Sequence, residues 1–526
     1  MQVRRVAVLG GGPGGLYAAR LVKLAYPACD VVVYEQGEPG STFGFGVGLA
    51  AGTQRNLEAA DPDTLHDLVS AGCHHDMTMQ VGGHTVHVRN DRLIGIARTE
   101  LLAILQRHAE KAGVTLEFGA RRSADELDAD VVVAADGVSS ATRENGPFGG
   151  HIEVGRGLYL WCGADVGLDD AVFAPVATEH GVFVTHAYPY SGGRSSEGRS
   201  TFLIETDERS WRRAGFDATT DATTTATPAD ASDETSLTYL QEVFAEQLQG
   251  HPLIGNRTRW LRFRTVRCDR WSSGRTVLLG DAAHTAHFSI GSGTKLAMED
   301  AIALVDALRT EADAATAFAR YEDVRRPAVE RLQELARRSQ LWWESFPSRM
   351  HLPVERLMVA YMSRAGNVSL ERFATTSPDV VATALAQYGG ADPPPDPAAV
   401  ADWVLDRPLV HDGRPFPRRR VDRPSPNLAS VEDVLTDPWD ATADAVVARA
   451  RRARDAGACG FRLTGPPDRS AVLTRLDLAE RIRTEVGGLA LVEAPALLRD
   501  DLAAALVSSR TDLVVLTDEE TGQETP

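Results

Sequence analysis

Hydrophobic residues at the start of the chain form short runs separated by longer amphipathic segments. Over the first 150 residues, such runs predict strands at Arg5–Leu9, Asp30–Tyr34, Val114–Phe118 and Asp130–Ala135. Between them, apolar residues recur at intervals of three and four, which predicts helices at Gly14–Tyr26 and Thr99–Ala112. Strands that alternate with helices predict an α/β domain with a parallel, doubly wound sheet.

The pattern changes beyond Gly157, where shorter strand-like runs follow one another without helices. The stretches GLYLWCGADV, HGVFVTHAYPY and STFLIET predict an antiparallel sheet in a separate layer. Asp217–Glu234 is rich in Thr, Ala and Asp, and we expect it to be an exposed loop. The segments that follow predict a helix, a strand, a helix, and a long helix interrupted at Arg326-Pro327: Leu237–Leu248, Arg275–Leu279, Thr294–Arg309 and Ala314–Trp343.

The stretch YGGADPPPDP (Tyr388–Pro397) predicts a linker, followed by a separate C-terminal domain of βα units. Its predicted helices and strands alternate: Val446–Ala456, Cys459–Leu463, Arg475–Val486, Leu489–Val492, Leu498–Val507 and Asp512–Leu516. The polar tail from Thr517 is predicted to be frayed. The predicted domains are residues 1–150 with 255–345, a β-sheet domain of 151–254, a helical connector of 346–387 and a C-terminal domain of 388–526.

Composition narrows the class of protein. The chain has 526 residues, enough for about three domains, and 43% of them are hydrophobic. Its net charge of −18 argues against nucleic acid or an anionic membrane as a partner. The five cysteines are scattered without a CxxC pair, which favours a reducing compartment and no metal site. No apolar run approaches about 18 residues and no signal-peptide pattern is visible, so we expect a cytoplasmic protein.

A glycine motif lies between the first predicted strand and helix. VAVLGGGPGGLYAA contains Gly10-x-Gly12-x-x-Gly15, in which Gly10 permits a tight turn and Gly15 permits close helix–strand packing. Gly12 lets the backbone approach a pyrophosphate at the helix N-terminus. Glu35 ends the next strand, where a carboxylate suits ribose hydroxyls and disfavours a 2′-phosphate. The motif predicts a dinucleotide site without choosing between NAD and FAD.

Two further stretches resemble the paired motifs of group A flavoprotein monooxygenases, the aromatic hydroxylases of the para-hydroxybenzoate hydroxylase type. They are DVVVAADGVSSATR (Asp130–Arg143) and GDAAHTAHFSIGSGTKLAMEDA (Gly280–Ala301). IARTELLAIL and RYEDVRRPAV extend the resemblance, which covers about residues 3 to 373. It implies a Rossmann-like FAD-binding domain with an antiparallel-sheet substrate domain. It also implies FAD as cofactor, with NADH, bound transiently, and O2 as co-substrates.

The resemblance also implies roles for particular residues. Asp281 is expected to hydrogen-bond the ribityl chain, and Arg98 is expected near the flavin diphosphate. Gly291 and Gly293 are expected to let the backbone approach the flavin ring, where helix N-terminal amides would stabilise its reduced form. Two more residues are expected close to the pyrophosphate and to the route of the nicotinamide donor: Asp136 and Gly137.

The Gly280–Ala301 stretch departs from the usual family pattern, with Phe288 in place of Pro and Lys295 in place of Asn. Together with THAYPYS, STFLIE, FGFGVGL and LWWESF, it resembles the branch that holds the salicylyl-CoA 5-hydroxylases and anthraniloyl-CoA monooxygenases. The implied activity is hydroxylation of an electron-rich ring through a flavin C4a-hydroperoxide. The implied substrate is an aryl-CoA thioester such as salicylyl-CoA, hydroxylated at its 5-position.

A phenol substrate would benefit from a nearby proton acceptor, since its pKa is about 10. Histidine titrates near neutral pH and suits this task. The candidate acid–base residues are His186, His284, His287 and Tyr188. The candidate substrate contacts are Phe45, Phe288 and Ser289.

A coenzyme A substrate would need a basic groove for its phosphates. Arg259–Arg270 and Arg325–Arg338 contain arginine clusters, although such runs are also typical of solvated helix faces. The coenzyme A members of this branch carry a reductase barrel like old yellow enzyme, which needs about 250 residues. Only about 130 residues follow the linker here. We expect a truncated, TIM-barrel-like domain that binds no FMN and serves stability, a homodimer contact or cover for the acyl carrier.

Two alternatives remain open at this point. The chain could hydroxylate a free or carrier-tethered aromatic, such as an indole, instead of a coenzyme A thioester. Turnover of matched acid and thioester substrates separates these cases. In a different class, the chain could be an FAD-binding scaffold that hydroxylates nothing, which NADH consumption without a hydroxylated product would favour.

Overall fold

A computed structural model describes residues 3–517 apart from positions 41, 43, 91–92, 193–197, 221–230, 292, 423–426 and 433–436. The chain divides into two compact units. The first consists of Met1–Gly82 with Asn90–Ser345, and the second of Gly83–Arg89 with Phe346–Pro526. No helix among the described residues is both long enough and apolar enough to cross a membrane.

The chain up to Ser345 contains strands that all belong to the first unit except β6. They are β1 (Arg5–Leu9), β2 (Asp30–Tyr34), β3 (Gly46–Leu49), β4 (Cys73–His74), β5 (Met77–Val81), β6 (His84–Val88), β7 (Ile94–Ala97), β8 (Thr115–Glu117), β9 (Val131–Ala134), β10 (Gly150–Val154), β11 (Leu158–Ala164), β12 (Ala171–Thr178), β13 (Gly181–Ser191), β14 (Arg199–Thr206), β15 (Leu253–Ile254), β16 (Trp260–Leu261), β17 (Arg264–Cys268), β18 (Ser272–Ser273) and β19 (Thr276–Leu278). The helices of the first unit are α1 (Pro13–Ala25), α2 (Ala51–Ala60), α3 (Pro62–Ala71), α4 (Arg98–Ala112), α5 (Ala141–Asn145), α6 (Glu208–Arg213), α7 (Asp217–Thr220), α8 (Glu234–Val243), α9 (Ala245–Leu248), α10 (Gly293–Thr310) and α11 (Ala314–Glu344).

The first sheet of this unit has the strand order β18-β19-β9-β1-β2-β8 and is parallel except where β18 pairs with β19. Valine is frequent in its central strands, because one face packs on the helices of the main core and the other packs on the segment that contains Leu127 and Ala129. Val6, Val8, Val131 and Val133 are fully buried. Helix α10 packs against α1 and α11. The predicted parallel sheet of an α/β domain is thereby confirmed.

The second sheet of this unit has the order β15-β11-β14-β13-β12-β5. Its pairs are antiparallel except for β12 with β5. One face packs on a core that includes Leu160, Phe183, Phe202 and Phe244. The antiparallel sheet predicted for the region beyond Gly157 is confirmed, and its β13 and β14 carry polar residues into the site described below.

The structure corrects three predicted elements. The predicted break at Arg326-Pro327 is wrong, because α11 continues through Pro327 with buried residues on both sides of it. Burial of that helix face outweighs the single backbone hydrogen bond that proline removes. Asp217–Glu234 is not wholly a loop, since α7 lies at its start and α8 begins at Glu234, and residues 221–230 lie outside the described part. The helix predicted at Leu237–Leu248 is two helices, α8 and α9, separated at Phe244.

The second unit also contains the strands β20 (Leu409–His411), β21 (Arg414–Phe416), β22 (Leu428–Glu432), β23 (Gly460–Thr464), β24 (Leu489–Pro495) and β25 (Leu513–Thr517). Its helices are α12 (Val354–Ser363), α13 (Leu370–Thr376), α14 (Pro378–Gly389), α15 (Val400–Leu405), α16 (Ala441–Asp455), α17 (Arg469–Glu485) and α18 (Arg499–Val507). Strands β22, β23, β24 and β25 are adjacent in that order and all parallel.

This arrangement confirms the predicted βα units and adds β22, which the sequence pattern did not reveal. The boundary between the two compact units falls after Ser345, whereas the predicted linker Tyr388–Pro397 lies inside the second unit. Neighbouring parallel strands in chain order also occur in a (β/α)₈ barrel. The truncated barrel, its lack of FMN and its role remain predictions.

Candidate active site

The glycine motif forms a tight turn between β1 and α1. Gly10 has a φ of +102°, and a Cβ atom there would lie 2.3 Å from the carbonyl oxygen of Ala135. A Cβ atom on Gly15 would lie 2.1 Å from the carbonyl oxygen of Gly10. Gly12 is the N-cap of α1 and faces open space, with nothing within 4 Å of the position that a Cβ atom would take. The turn therefore presents bare backbone at a helix N-terminus, which is the environment that a diphosphate requires.

Glu35 holds this turn from the next strand. Its two carboxylate oxygens accept hydrogen bonds from the backbone N–H groups of Gly11 and Gly37, each at 2.7 Å. A carboxylate has about four acceptor positions, so two such bonds leave others for ribose hydroxyls. Glu35 therefore fixes the backbone of the glycine turn, and its free acceptor positions suit the ribose next to the diphosphate.

The turn after β9 is fixed by its own side chains. Asp136 accepts hydrogen bonds from the hydroxyls of Ser140 and Thr142, at 2.5 and 2.9 Å, and from the backbone N–H of Thr142 in the first turn of α5. Arg143 is buried and donates to the carbonyl oxygens of Val138 at 2.7 Å and Ala282 at 3.1 Å. One guanidinium therefore joins the Asp136 turn to the turn that carries Asp281.

Replacing Arg143 by lysine should weaken FAD binding about tenfold, because a single ammonium cannot hold both carbonyl groups in the same geometry. The measurement is the dissociation constant of FAD on apoprotein, from quenching of flavin fluorescence. The exposed Arg121→Lys is the matched control and should bind FAD as the wild type does. Equal dissociation constants for both variants would show that FAD binding does not depend on the hydrogen bonds by which Arg143 joins the two turns.

Asp281 follows β19 and lies near Arg98, which in turn lies near Tyr188. Water reaches the Asp281 side chain, yet the surrounding protein atoms desolvate it and raise the pKa of its carboxyl, while His284 and Arg98 oppose this shift. Burial lowers the pKa of the half-buried Arg98, and the charge of Asp281 opposes that change. The Tyr188 hydroxyl donates to the carbonyl of Gly46 at 2.7 Å, and burial raises its pKa to about 12.

These residues fit FAD. Among the described residues, no hydrogen bond to the Asp281 carboxylate is present, so it can accept one from a ribityl hydroxyl. Arg98 donates to the Thr42 hydroxyl at 3.0 Å and has further N–H groups for a diphosphate. Four of the predicted glycines face open space, with nothing within 4 Å of an added Cβ atom: Gly12, Gly137, Gly291 and Gly293.

His284, a predicted acid–base candidate, lies in a different environment from the other histidines. Its Nε2 atom is 2.8 Å from the fully buried carboxylate of Asp300, and its ring packs on Trp271. Arg325 donates to the other Asp300 oxygen, also at 2.8 Å. Burial alone would raise the pKa of Asp300, but His284 and Arg325 outweigh it and lower that pKa. This network is a buried structural charge cluster.

His186 and His287 instead meet at one carboxylate, that of Glu205. The His186 Nε2 atom lies 2.6 Å from one Glu205 oxygen, and the His287 Nε2 atom lies 3.6 Å from the other. His186 is on β13, Glu205 on the neighbouring β14, and His287 on the loop after β19. We call these three residues the His–Glu–His cluster.

Aromatic rings surround the His–Glu–His cluster. Trp343 and Phe173 pack on His186 with ring centroids 4.4 and 5.3 Å away, and Phe263 packs on His287 at 4.8 Å. Phe288 lies 4.1 Å from His287 and 4.9 Å from Tyr159. Ionisable groups enclosed by aromatic rings are typical of sites that bind and orient a flat, partly polar ligand.

Of the remaining candidates, Ser289 contacts the His–Glu–His cluster, whereas Phe45 packs elsewhere on the antiparallel sheet. Ser289 contacts the Nδ1 atom of His287 at 2.9 Å and the hydroxyl of Ser339 at 2.7 Å. The Phe45 ring packs on Gly163, where a Cβ atom would approach it to 2.6 Å. Sequence reasoning missed Glu205, Tyr159 and Trp343; the available signal was the carboxylate near the end of the buried STFLIE strand.

The arginine clusters predicted to bind coenzyme A phosphates are largely engaged with this chain's own carboxylates. In the second cluster, Arg325 pairs with Asp300, Arg326 with Glu322, and Arg337 and Arg338 with Glu334. In the first, Arg262 pairs with Glu208 and Arg267 with Glu153. A phosphate bound there would have to compete with these ion pairs.

The fold and this site define a class of protein. A family model described as FAD binding domain matches residues 98–336. The chain belongs to the group A FAD-dependent monooxygenases, and it is an aromatic hydroxylase of that family.

Two curated relatives come from actinomycete sources. Salicyloyl-CoA 5-hydroxylase of Streptomyces sp is 43% identical over 348 residues, which are 65% of this chain and 66% of the relative. The chain thus spans slightly less than two thirds of that protein. The 3-hydroxy-4-methyl-anthranilyl-[aryl-carrier protein] 5-monooxygenase of Streptosporangium sibiricum is 38% identical over 374 residues, 70% of this chain and 97% of the relative.

Solved structures agree on the fold. The tetrameric form of 2-methyl-3-hydroxypyridine-5-carboxylic acid oxygenase aligns with a TM-score of 0.51 and 19% identity, over 73% of this chain and 97% of that one. PqsL of P. aeruginosa, in complex with 2-aminobenzoylacetate, aligns with a TM-score of 0.50 and 20% identity, over 65% and 97%. The predicted FAD-binding fold with its antiparallel sheet is thereby confirmed.

Proposed function

We propose that this chain hydroxylates an aromatic ring carried as a coenzyme A thioester, with salicyloyl-CoA at its 5-position as the first candidate. The reaction consumes NADH and O2. The observation that carries the proposal is the His–Glu–His cluster enclosed by aromatic rings, in which His287 lies on the loop that leads to Gly291. The 43% identity to salicyloyl-CoA 5-hydroxylase supports the thioester as the form of the substrate.

The chain's own residues bind FAD and position it. The glycine turn at Gly10 and Gly12 would hold the diphosphate of FAD, and Glu35 would bind its ribose. Asp281 would accept a hydrogen bond from the ribityl chain, and Arg98 would lie near the diphosphate. When bound, FAD supplies the activation of dioxygen after its reduction by NADH. Helix α10 begins at Gly293, and its N-terminal N–H groups would stabilise negative charge on a bound flavin ring.

The protein must also orient the ring and handle a proton. Hydroxylation of a phenol or aniline is easier when its O–H or N–H group contacts an acceptor, and imidazoles accept protons near neutral pH. His186 and His287 are the acid–base candidates that the site brings together. His284 is better explained as a structural partner of Asp300. Tyr188 is better explained as a hydrogen-bond donor to the Gly46 carbonyl.

A second candidate is an aromatic acid tethered to a carrier protein. The aryl-carrier protein monooxygenase aligns over 97% of its own length, which favours this form of the substrate for the first unit of the chain. Both candidates share an uncharged thioester carbonyl on the ring. They differ in the group beyond the sulfur.

The test compares matched substrates on the FAD-loaded protein. We expect salicyloyl-CoA to stimulate NADH oxidation at least about tenfold more than free salicylate, with one oxygen atom added to the thioester. Stimulation only by a salicyloyl carrier protein would favour the second candidate. Stimulation by the free acid alone would contradict both thioester forms, and NADH oxidation without hydroxylated product would favour a non-hydroxylating scaffold.

A further inference from the structure

Glu205 is an enclosed carboxylate in a region that is otherwise aromatic. Only 13% of its side chain is exposed. In the sheet, it lies opposite Tyr159 on β11 and Val184 on β13. Burying a carboxylate is costly unless charged or hydrogen-bonding groups compensate for the lost water. A residue kept there at such a cost requires a reason beyond packing.

The partners of Glu205 compensate for its charge only in part. One oxygen, Oε2, lies 2.6 Å from the Nε2 atom of His186, but neither of these two buried atoms makes a hydrogen bond within the described part of the chain. The other oxygen is 3.6 Å from the Nε2 atom of His287, which is beyond hydrogen-bond distance. The carboxylate therefore retains acceptor capacity inside the aromatic enclosure.

The groups that face Glu205 determine the charge of the enclosure. They are His186, His287 and Tyr159. Burial, aided by the charge of Glu205, raises the pKa of Tyr159 to about 12, so its hydroxyl stays neutral near neutral pH. Among these groups Glu205 is the one carboxylate, and it lies in a poorly hydrated place with 13% of its side chain exposed.

We propose that Glu205 selects the substrate by accepting a hydrogen bond from a ring hydroxyl or amino group while its charge disfavours a free carboxylate on the same ring. The inference rests on the proposed function as an aromatic hydroxylase. A thioester or amide carbonyl at that ring position is uncharged and is tolerated. Glu205 thus favours the activated form of a hydroxy- or amino-benzoate over the free acid, through like-charge repulsion in a low-dielectric site.

The test uses two small ligands of nearly equal shape, salicylate and its neutral amide, salicylamide. Their dissociation constants are measured near neutral pH on FAD-loaded protein from changes in the flavin absorption spectrum. We expect the wild type to bind salicylamide at least about tenfold more tightly than salicylate. Glu205→Gln keeps the shape and an acceptor oxygen but removes the charge, and it should reduce this preference to about twofold or less.

Glu153→Gln is the matched control, because it removes an exposed carboxylate that pairs with Arg267 on the same unit. It should keep the wild-type preference. An unchanged preference in FAD-loaded Glu205→Gln would overturn the proposal, and so would a wild type that prefers salicylate. If Glu205→Gln does not retain FAD, Glu205→Asp is measured instead. Because this variant keeps the negative charge, it must still bind salicylamide more tightly than salicylate, and loss of that difference would overturn the proposal.

A second comparison tests the hydrogen bond. Wild-type protein should bind salicylamide more tightly than benzamide, which lacks the ring hydroxyl, by about tenfold. Equal affinities would overturn the hydrogen-bonding part of the proposal. These binding ratios do not depend on turnover, so a failure to hydroxylate any thioester would reject the proposed function and leave the Glu205 inference to be decided by the ratios.

Discussion

Gly10→Ala should produce a protein that retains little or no FAD, with an affinity lowered at least about 100-fold. The added Cβ atom would lie 2.3 Å from the carbonyl oxygen of Ala135, so β1 or β9 must shift. The φ of +102° adds backbone strain of about 1–3 kcal/mol for a residue with a side chain. Both effects move the N–H groups that the diphosphate needs. The measurement is the flavin-to-protein absorbance ratio after purification, followed by titration with FAD.

Gly274→Ala is the matched control for this variant. Gly274 also has a positive φ, +58°, but a Cβ atom there would meet nothing within 4 Å. It lies between β18 and β19 at the edge of the same sheet, so alanine there also takes a positive φ but meets no neighbouring atom. We expect it to retain FAD. If Gly10→Ala binds FAD as tightly as Gly274→Ala does, the close approach at the glycine turn is not what forms the site.

Arg325→Met should lower the free energy of unfolding by about 3–5 kcal/mol, because it removes one partner of a buried ion pair. Asp300 is 0% exposed and would keep the imidazole of His284 but lose its guanidinium partner. The measurement is chemical denaturation of the FAD-loaded protein. Arg320→Met on the same helix removes an exposed pair with Glu311 and should cost less than about 1 kcal/mol. Similar losses for the two variants would contradict a stabilising role for the Asp300 network.

The same variant should change the acid dependence of stability. The pKa of Asp300 is lowered in the folded protein, so its contribution is present above the ordinary carboxyl range and is lost as the pH falls through that lowered pKa. Without Arg325 the folded-state pKa rises toward its unfolded value. The unfolding free energy of Arg325→Met should therefore fall less steeply on acidification than that of the wild type.

Sequence patterns predict the buried parallel strands and the glycine turn, because short stretches of residues determine these features. Strands β1 and β2 have the predicted bounds, because unbroken valine-rich runs have few alternatives to a buried parallel strand. Gly10 and Gly15 stand out in the sequence motif, and only glycine tolerates their close approaches. Pro327 misleads the helix prediction, since burial along the rest of α11 overrides a local preference.

The candidate site is less accessible to such reasoning. His284 and His287 are three residues apart and equivalent as sequence candidates, yet His284 pairs with Asp300 whereas His287 faces Glu205. Nothing local distinguishes them, because the deciding carboxylates come from α10 and from β14. In the sequence, Glu205 is only the last residue of a strand motif. Its role depends on the pairing of β14 with β11 and β13, which a single sequence does not reveal.

The most direct measurement is the mass of the product formed from salicyloyl-CoA, NADH and isotopically heavy dioxygen on the FAD-loaded protein. We predict one heavy oxygen atom on the ring at position 5, with one NADH consumed for each product. A product without the heavy atom, or NADH oxidation that yields only peroxide with every thioester offered, would contradict the claim that this chain hydroxylates an activated aromatic ring.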